Sequence, residues 1–156
     1  MLTWIHLIAT GLYLGSTLGI ALFTVPRARR IENLAAKRKA VARVMRLYDP
    51  AAIALLGVMV MTGAWSVTGY KAALGEQYYS TFGSGLAWKL GFAFLVVMSG
   101  TYVCFGLGHR LVRQDEWDEP LEEARMRSML GRLSGAAWFT VLMTLATVWI
   151  AVGRQG

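Results

Sequence analysis

The chain alternates between long apolar blocks and short charged ones. Residues 2–26, 51–69, 86–107 and 136–152 carry almost no charge. Each is near the ~17–25 residues that a membrane-spanning helix needs. The pattern predicts an all-α membrane protein: a four-transmembrane-helix bundle, one integral membrane domain over 1–156, with spans at about 2–26, 50–69, 87–109 and 134–152. After the first span, IENLAAKRKAVARVMRL is rich in helix formers, with Leu34, Val41, Val44 and Leu47 at roughly helical spacing. It predicts an amphipathic helix on the inner membrane surface, its basic face toward lipid headgroups. Asp49-Pro50 reads as the N-cap and first turn of span two.

Two connecting segments follow. GYKAALGEQYYSTFGSG reads as turn-rich, with Tyr78 and Tyr79 lying on the membrane or covering a site. In RQDEWDEPLEEARMR, Pro120, Glu122 and Glu123 suit the start of a solvated helix, with Arg125 and Arg127 at pairing distance. The first block lacks the basic n-region of a signal peptide and exceeds the length of its apolar core, so it is taken as a retained span.

Composition agrees: 56% of residues are hydrophobic and mean hydropathy is +0.46, against about 45–50% apolar in soluble domains. The net charge of +7 changes the picture through its distribution. Eight cationic residues fall in Arg27–Arg46 and five in Arg110–Arg132, leaving only Lys71, Lys89 and Arg154 elsewhere. Positive charge gathers on the cytoplasmic side of membrane proteins, so both termini are expected outside. A basic surface against anionic lipid accounts for the charge without nucleic acid. Trp4, Trp65, Tyr70, Tyr78, Tyr79, Trp88 and Trp149 map to the outer boundary, and Tyr48, Trp117 and Trp138 to the inner one, as aromatic belts do. The single cysteine, Cys104, forms no internal disulfide and reads as a small buried side chain.

Candidate chemistry concentrates in the first span. Thr3, His6, Thr10, Tyr13 and Thr17 share one helical face, and Gly11, Gly15 and Gly19 lie roughly opposite. The glycines suit close approach of another helix, within the chain or from a second copy. Thr62, Ser66, Thr140, Thr144 and Thr147 add hydroxyls on other spans, either lining a polar interior or bonding their own preceding carbonyls. His6 and Lys89 both lie within the first turns at the outer ends of their helices, at a depth where they can meet. His6 reads as a ligand or proton-handling group, the alternative being a structural hydrogen bond. Lys89 is a site residue or snorkels beside Trp88. His109 is twenty residues from Lys89 along the third span, about 30 Å, so it cannot join His6 on one iron. The methionines form no copper-binding cluster and read as core.

WIHLIATGLYLG opening the first span, VPRAR closing it, RVMRLYDPAAIALLGVMVMTG, and AWKLGFAFLVVMSG with its lysine resemble the CopD-like superfamily of bacterial membrane proteins, which includes the HemJ-type protoporphyrinogen oxidases. The likeness covers about the first two-thirds of the chain. It implies the bacterial inner membrane, and a haem-associated site whose residues correspond here to His6 and Lys89. Haem b is the implied cofactor, with His6 a candidate ligand to haem iron and Thr10 and Tyr13 beside it. The expected function is a b-type haem protein with a redox role, a membrane oxidoreductase of haem or quinone type if it is an enzyme. The alternatives are a non-enzymatic subunit or scaffold of a larger respiratory or transport complex, as a homodimer or among other subunits, and copper handling.

Overall fold

The computed structural model describes residues 1–118 and 122–152, without the side chains of 79, 81, 82, 84, 151 and 152. Pro120, Arg154 and the Tyr79 side chain, named above, lie outside the described set. Among the described residues the chain is all-helical: α1 (Leu2–Gly19), a π-turn (Ile20–Thr24), α2 (Val25–Arg30), α3 (Leu34–Leu74), α4 (Gln77–Thr101), a second π-turn (Tyr102–Gly108), α5 (His109–Glu116) and α6 (Glu123–Val152). These join into four rods, each containing a stretch long and apolar enough to cross a membrane: Leu2–Arg30, Leu34–Leu74, Gly85–Glu116 and Glu123–Ile150. That is the make-up of a multi-pass membrane protein.

Cross-helix pairs set the directions. His6 meets Thr62 and Thr17 meets Tyr48, so the first rod and α3 run antiparallel. Ser99 meets Thr140 while Leu107 and Gln114 line a cavity with Arg125 and Arg132, so the third rod and α6 do too. Gly100 meets Leu56 and Gly108 meets Asp49, so the third rod is antiparallel to α3 and hence parallel to the first rod, which it touches at Tyr13. The bundle therefore has a terminal end, holding Met1 and the Gly75 turn, and a basic end, holding the connections near 31–33 and 117–122. Each rod packs on its sequence neighbour, and the first closes the ring on α6.

The backbone departs from the sequence reading in three places, each with a local cause. Asp49 does not cap a helix. Asn33 does, its side chain accepting the Ala36 N–H at 3.0 Å, and α3 then runs unbroken for 41 residues with Pro50 inside it. Pro50 removes one N–H donor but does not end the helix, because α3 is packed on both sides of it, at Tyr48 and at Ala52. The segment expected as a separate inner-surface helix is thus the first part of α3. At 1.5 Å per residue α3 is about 60 Å long, against a hydrocarbon core of about 30 Å.

The turn-rich reading of the 69–85 segment gives way to two helices joined at Gly75 and Glu76. Gly75 takes φ +56°, a backbone conformation that a residue without Cβ adopts readily, and donates its N–H to the Lys71 carbonyl. The third rod does not stop at His109 but continues to Glu116. Each π-turn has a neighbour that a wider turn accommodates. The first ends two residues before Pro26, whose ring would crowd the carbonyl four residues back in a regular α-turn. The second holds Cys104 and Gly108 against Asp49.

The packed core lies toward the basic end. Met45, Leu111, Met126 and Leu133 are fully buried there with Val25, Val41 and Val103. Past Thr62 on α3 the larger side chains open outward: Trp65 and Tyr70 on α3, and Trp88, Leu90 and Phe94 on α4, are exposed apolar surface. Tyr48 and Tyr78 depart from the belt reading, since both are buried and Tyr48 spends its hydroxyl inside the bundle.

Candidate cofactor site at the rim of the core

His6 sits where the packed core gives way to the open terminal end, half-buried. Its position on α1 places it opposite Thr62 of α3, with Nδ1 2.8 Å from the Thr62 hydroxyl. The direction of this bond follows from proton count. A threonine hydroxyl has one proton, and the Thr62 oxygen lies 2.6 Å from the Val58 carbonyl and 3.2 Å from the Met59 carbonyl; the helix-local carbonyls, Val58 the nearer, take it. Thr62 Oγ1 can then only accept, so Nδ1 carries the imidazole proton. Nε2 is left with the lone pair, and the Met59 carbonyl also lies against the imidazole as a hydrogen-bond acceptor. Gly63 lies against the same ring, its would-be Cβ 3.6 Å from Cε1.

Thr10 and Tyr13, the other candidates on this face, are buried. Thr10 donates to the His6 carbonyl at 2.8 Å, which holds the helix rather than the ring. Tyr13 is fully enclosed, its hydroxyl against Gly100 and beside Thr17 and Tyr48. A Cβ on Gly100 would overlap that hydroxyl and come within 2.8 Å of Leu56 Cδ1, so the absence of a side chain there admits the phenol. Lys89 is exposed. The Tyr13–Gly100 register puts His6 level with Ala93, and Lys89 about one turn, or roughly 6 Å, nearer the terminal end. The amine still lies within electrostatic reach of the imidazole. The structure thus gathers His6, Thr10, Tyr13 and Thr62 along one seam and leaves Lys89 at its mouth.

The seam continues toward the basic end. Thr17 donates to the Tyr13 carbonyl at 2.8 Å and so accepts from the Tyr48 hydroxyl at 3.1 Å. Beside Tyr48, the Asp49 carboxylate rests on Gly108 with Oδ1 buried and without a hydrogen bond, next to Cys104. Sequence reasoning missed Asp49 by making it a cap. Continuing the stripe Val41, Met45, Tyr48, Ala52 and Leu56 through Pro50 would have kept this turn inside the bundle. His109 is exposed and sixteen residues beyond the His6 level, about 24 Å. The described residues hold no group of three or more His, Cys, Asp or Glu placed for a metal ion. No protein-family model, curated protein or solved structure matches the chain.

Proposed function

We propose that this is a bacterial inner-membrane protein of the CopD-like kind, with both termini outside, that binds a b-type haem at His6 and serves a redox role. One observation carries the reading: Thr62 fixes the imidazole tautomer with the proton on Nδ1 and the lone pair on Nε2. Histidines that bind metals are held this way, the second ring N–H donating to an acceptor that sets ring orientation. The donor chemistry fits a single axial ligand to haem iron. The exposed apolar surface beyond Thr62 suits the edge of a planar macrocycle at membrane depth. Bound there, haem would supply one-electron transfer, with axial ligand and surroundings setting its potential. This chain's own part is to orient the imidazole through Thr62, to keep water from the interior side through Tyr13 and Leu56, and to present the Lys89 amine to an anionic group at the mouth.

The test is optical. The protein purified in mild detergent is expected to show a Soret band and a reduced α-band, both lost in His6→Ala. A folded, colourless preparation from haem-replete cells sinks the haem reading.

A second reading, a subunit of a larger assembly, has its own observation. Gly11 and Gly15 are exposed, and no atom lies within 4 Å of a Cβ built on either of them or on Gly19. The glycine face expected to meet another helix meets none among the described residues. Stable co-purification of other chains with a colourless protein would favour that reading.

A further inference from the structure

At the basic end a cavity of about 200 Å³ opens between the third rod and α6. Two helical stripes build it. Arg125, Ser128 and Arg132 of α6 stand at i, i+3 and i+7, and Arg110 and Gln114 face them from α5. Leu107 and Met129 form its apolar lining. Three guanidinium groups therefore line one small space. Four carboxylates of this end pair with other arginines: Asp115 with Arg38 and Arg46, Asp118 with Arg38, Glu116 with Arg46, and Glu123 with Arg127. Among the described residues none pairs with Arg110, Arg125 or Arg132. Gln114 is buried, and its Oε1 has no partner. With the amide turned about, its NH2 becomes a further donor into the same space.

We propose that this cavity binds a phosphate group, delivered as the headgroup of an anionic phospholipid. Guanidinium forks match phosphate oxygens two at a time, and three arginines with no ion-pair partner among the described residues gather positive charge around one cavity, which an anion offsets. Depth favours the lipid over a free phosphate. The cavity lies where the apolar stretches ending near 107 and starting near 136 put the hydrocarbon boundary. Phe105 and Trp138, on the same two rods and farther toward the hydrocarbon, are exposed and available to acyl chains. Basic pockets between membrane helices hold anionic headgroups in this manner.

The experiment uses the full chain in a non-ionic detergent, following thermal unfolding as dioleoylphosphatidylglycerol, dioleoylphosphatidylcholine or inorganic phosphate is added. A ligand of the folded state raises the melting temperature once its concentration exceeds Kd, and the rise then grows with the logarithm of concentration. The expected result is a concentration-dependent rise with phosphatidylglycerol alone, its onset moved to about tenfold higher lipid in Arg125→Gln and in Arg132→Gln. Ser128→Glu, which leaves every arginine in place but adds a negative charge, is expected to move it similarly. Lys39→Gln, exposed on α3 and away from the cavity, is expected to leave it unchanged. A rise with inorganic phosphate that is lost in the same three variants keeps the anion site but assigns it to a soluble phosphate. The proposal is overturned if no probe shifts the melt, if phosphatidylcholine matches phosphatidylglycerol, if the cavity variants respond like the parent, or if Lys39→Gln loses as much as they do.

Discussion

Two contacts show how much a single side chain decides. The Thr62 hydroxyl is the side-chain acceptor 2.8 Å from His6 Nδ1, and valine has its shape without its oxygen. Thr62→Val should cost about 1–2 kcal/mol of unfolding free energy, the usual loss when a part-buried N–H is left unpaired. On the haem reading it should also weaken haem retention by about 10–100-fold, as lost outer-shell partners do; absorbance at fixed protein concentration measures this. Intact retention in Thr62→Val would mean that the tautomer is held by something other than the hydroxyl. Gly100 and Gly15 make the second contrast. Gly100→Ala drives a methyl into the Tyr13 hydroxyl and Leu56, and overpacking of this kind costs about 1–3 kcal/mol. Gly15→Ala meets open space on a helix and should be neutral or stabilising by up to about 1 kcal/mol. Both are read from detergent melts. If Gly15→Ala proves as damaging as Gly100→Ala, a second helix covers that face in the assembled protein.

Helices were legible in this sequence because lipid leaves the backbone few alternatives, and a run of apolar residues of spanning length has to become helix. Their ends were not. Span boundaries were drawn where charge begins, yet α3 starts sixteen residues before Pro50 and the third rod ends seven residues after His109. Outside the hydrocarbon these extensions are held by each other rather than by hydropathy. Arg38 is buried, its Nε 3.5 Å from Asp115 Oδ1 and its fork also on Asp118, while Arg46 meets Asp115 at 3.2 Å. An i,i+4 pattern on one helix reveals Arg127–Glu123, but no local spacing reveals a pair 77 residues apart. The two kinds of pair should behave differently. Asp115→Ala leaves a buried guanidinium short of its enclosed partner and is expected to cost about 3 kcal/mol. Glu123→Ala removes an exposed pair and should cost under about 0.5 kcal/mol. Equal effects in urea or thermal melts would show that the long inner extension of α3 is not fastened by Arg38.

For the molecule as a whole, the seam from His6 to Asp49 could be anticipated only in part. The stripe His6, Thr10, Tyr13, Thr17 is a property of one helix and is visible in its spacing. Its partners Thr62 and Tyr48 depend on the antiparallel register of α1 and α3, which no local pattern encodes. Direction across the membrane is different again, since the bundle looks the same to hydropathy either way up. It rests on charge alone: thirteen of sixteen cationic residues lie at the basic end or on the segments leading to it, and arginine and lysine are held on the cytoplasmic side during insertion. Labelling decides it. Cys104 is buried and is the chain's single cysteine, so Cys104→Ala gives a background into which one reporter is introduced. Glu76→Cys sits in the exposed turn between α3 and α4, and Lys39→Cys on the exposed side of the α3 extension. In spheroplasts treated with a membrane-impermeant maleimide, Glu76→Cys should label at once and Lys39→Cys only after permeabilisation. The opposite pattern inverts the protein, and with it moves His6 and the mouth of the seam to the cytoplasmic half of the bilayer, where any redox partner would have to be sought.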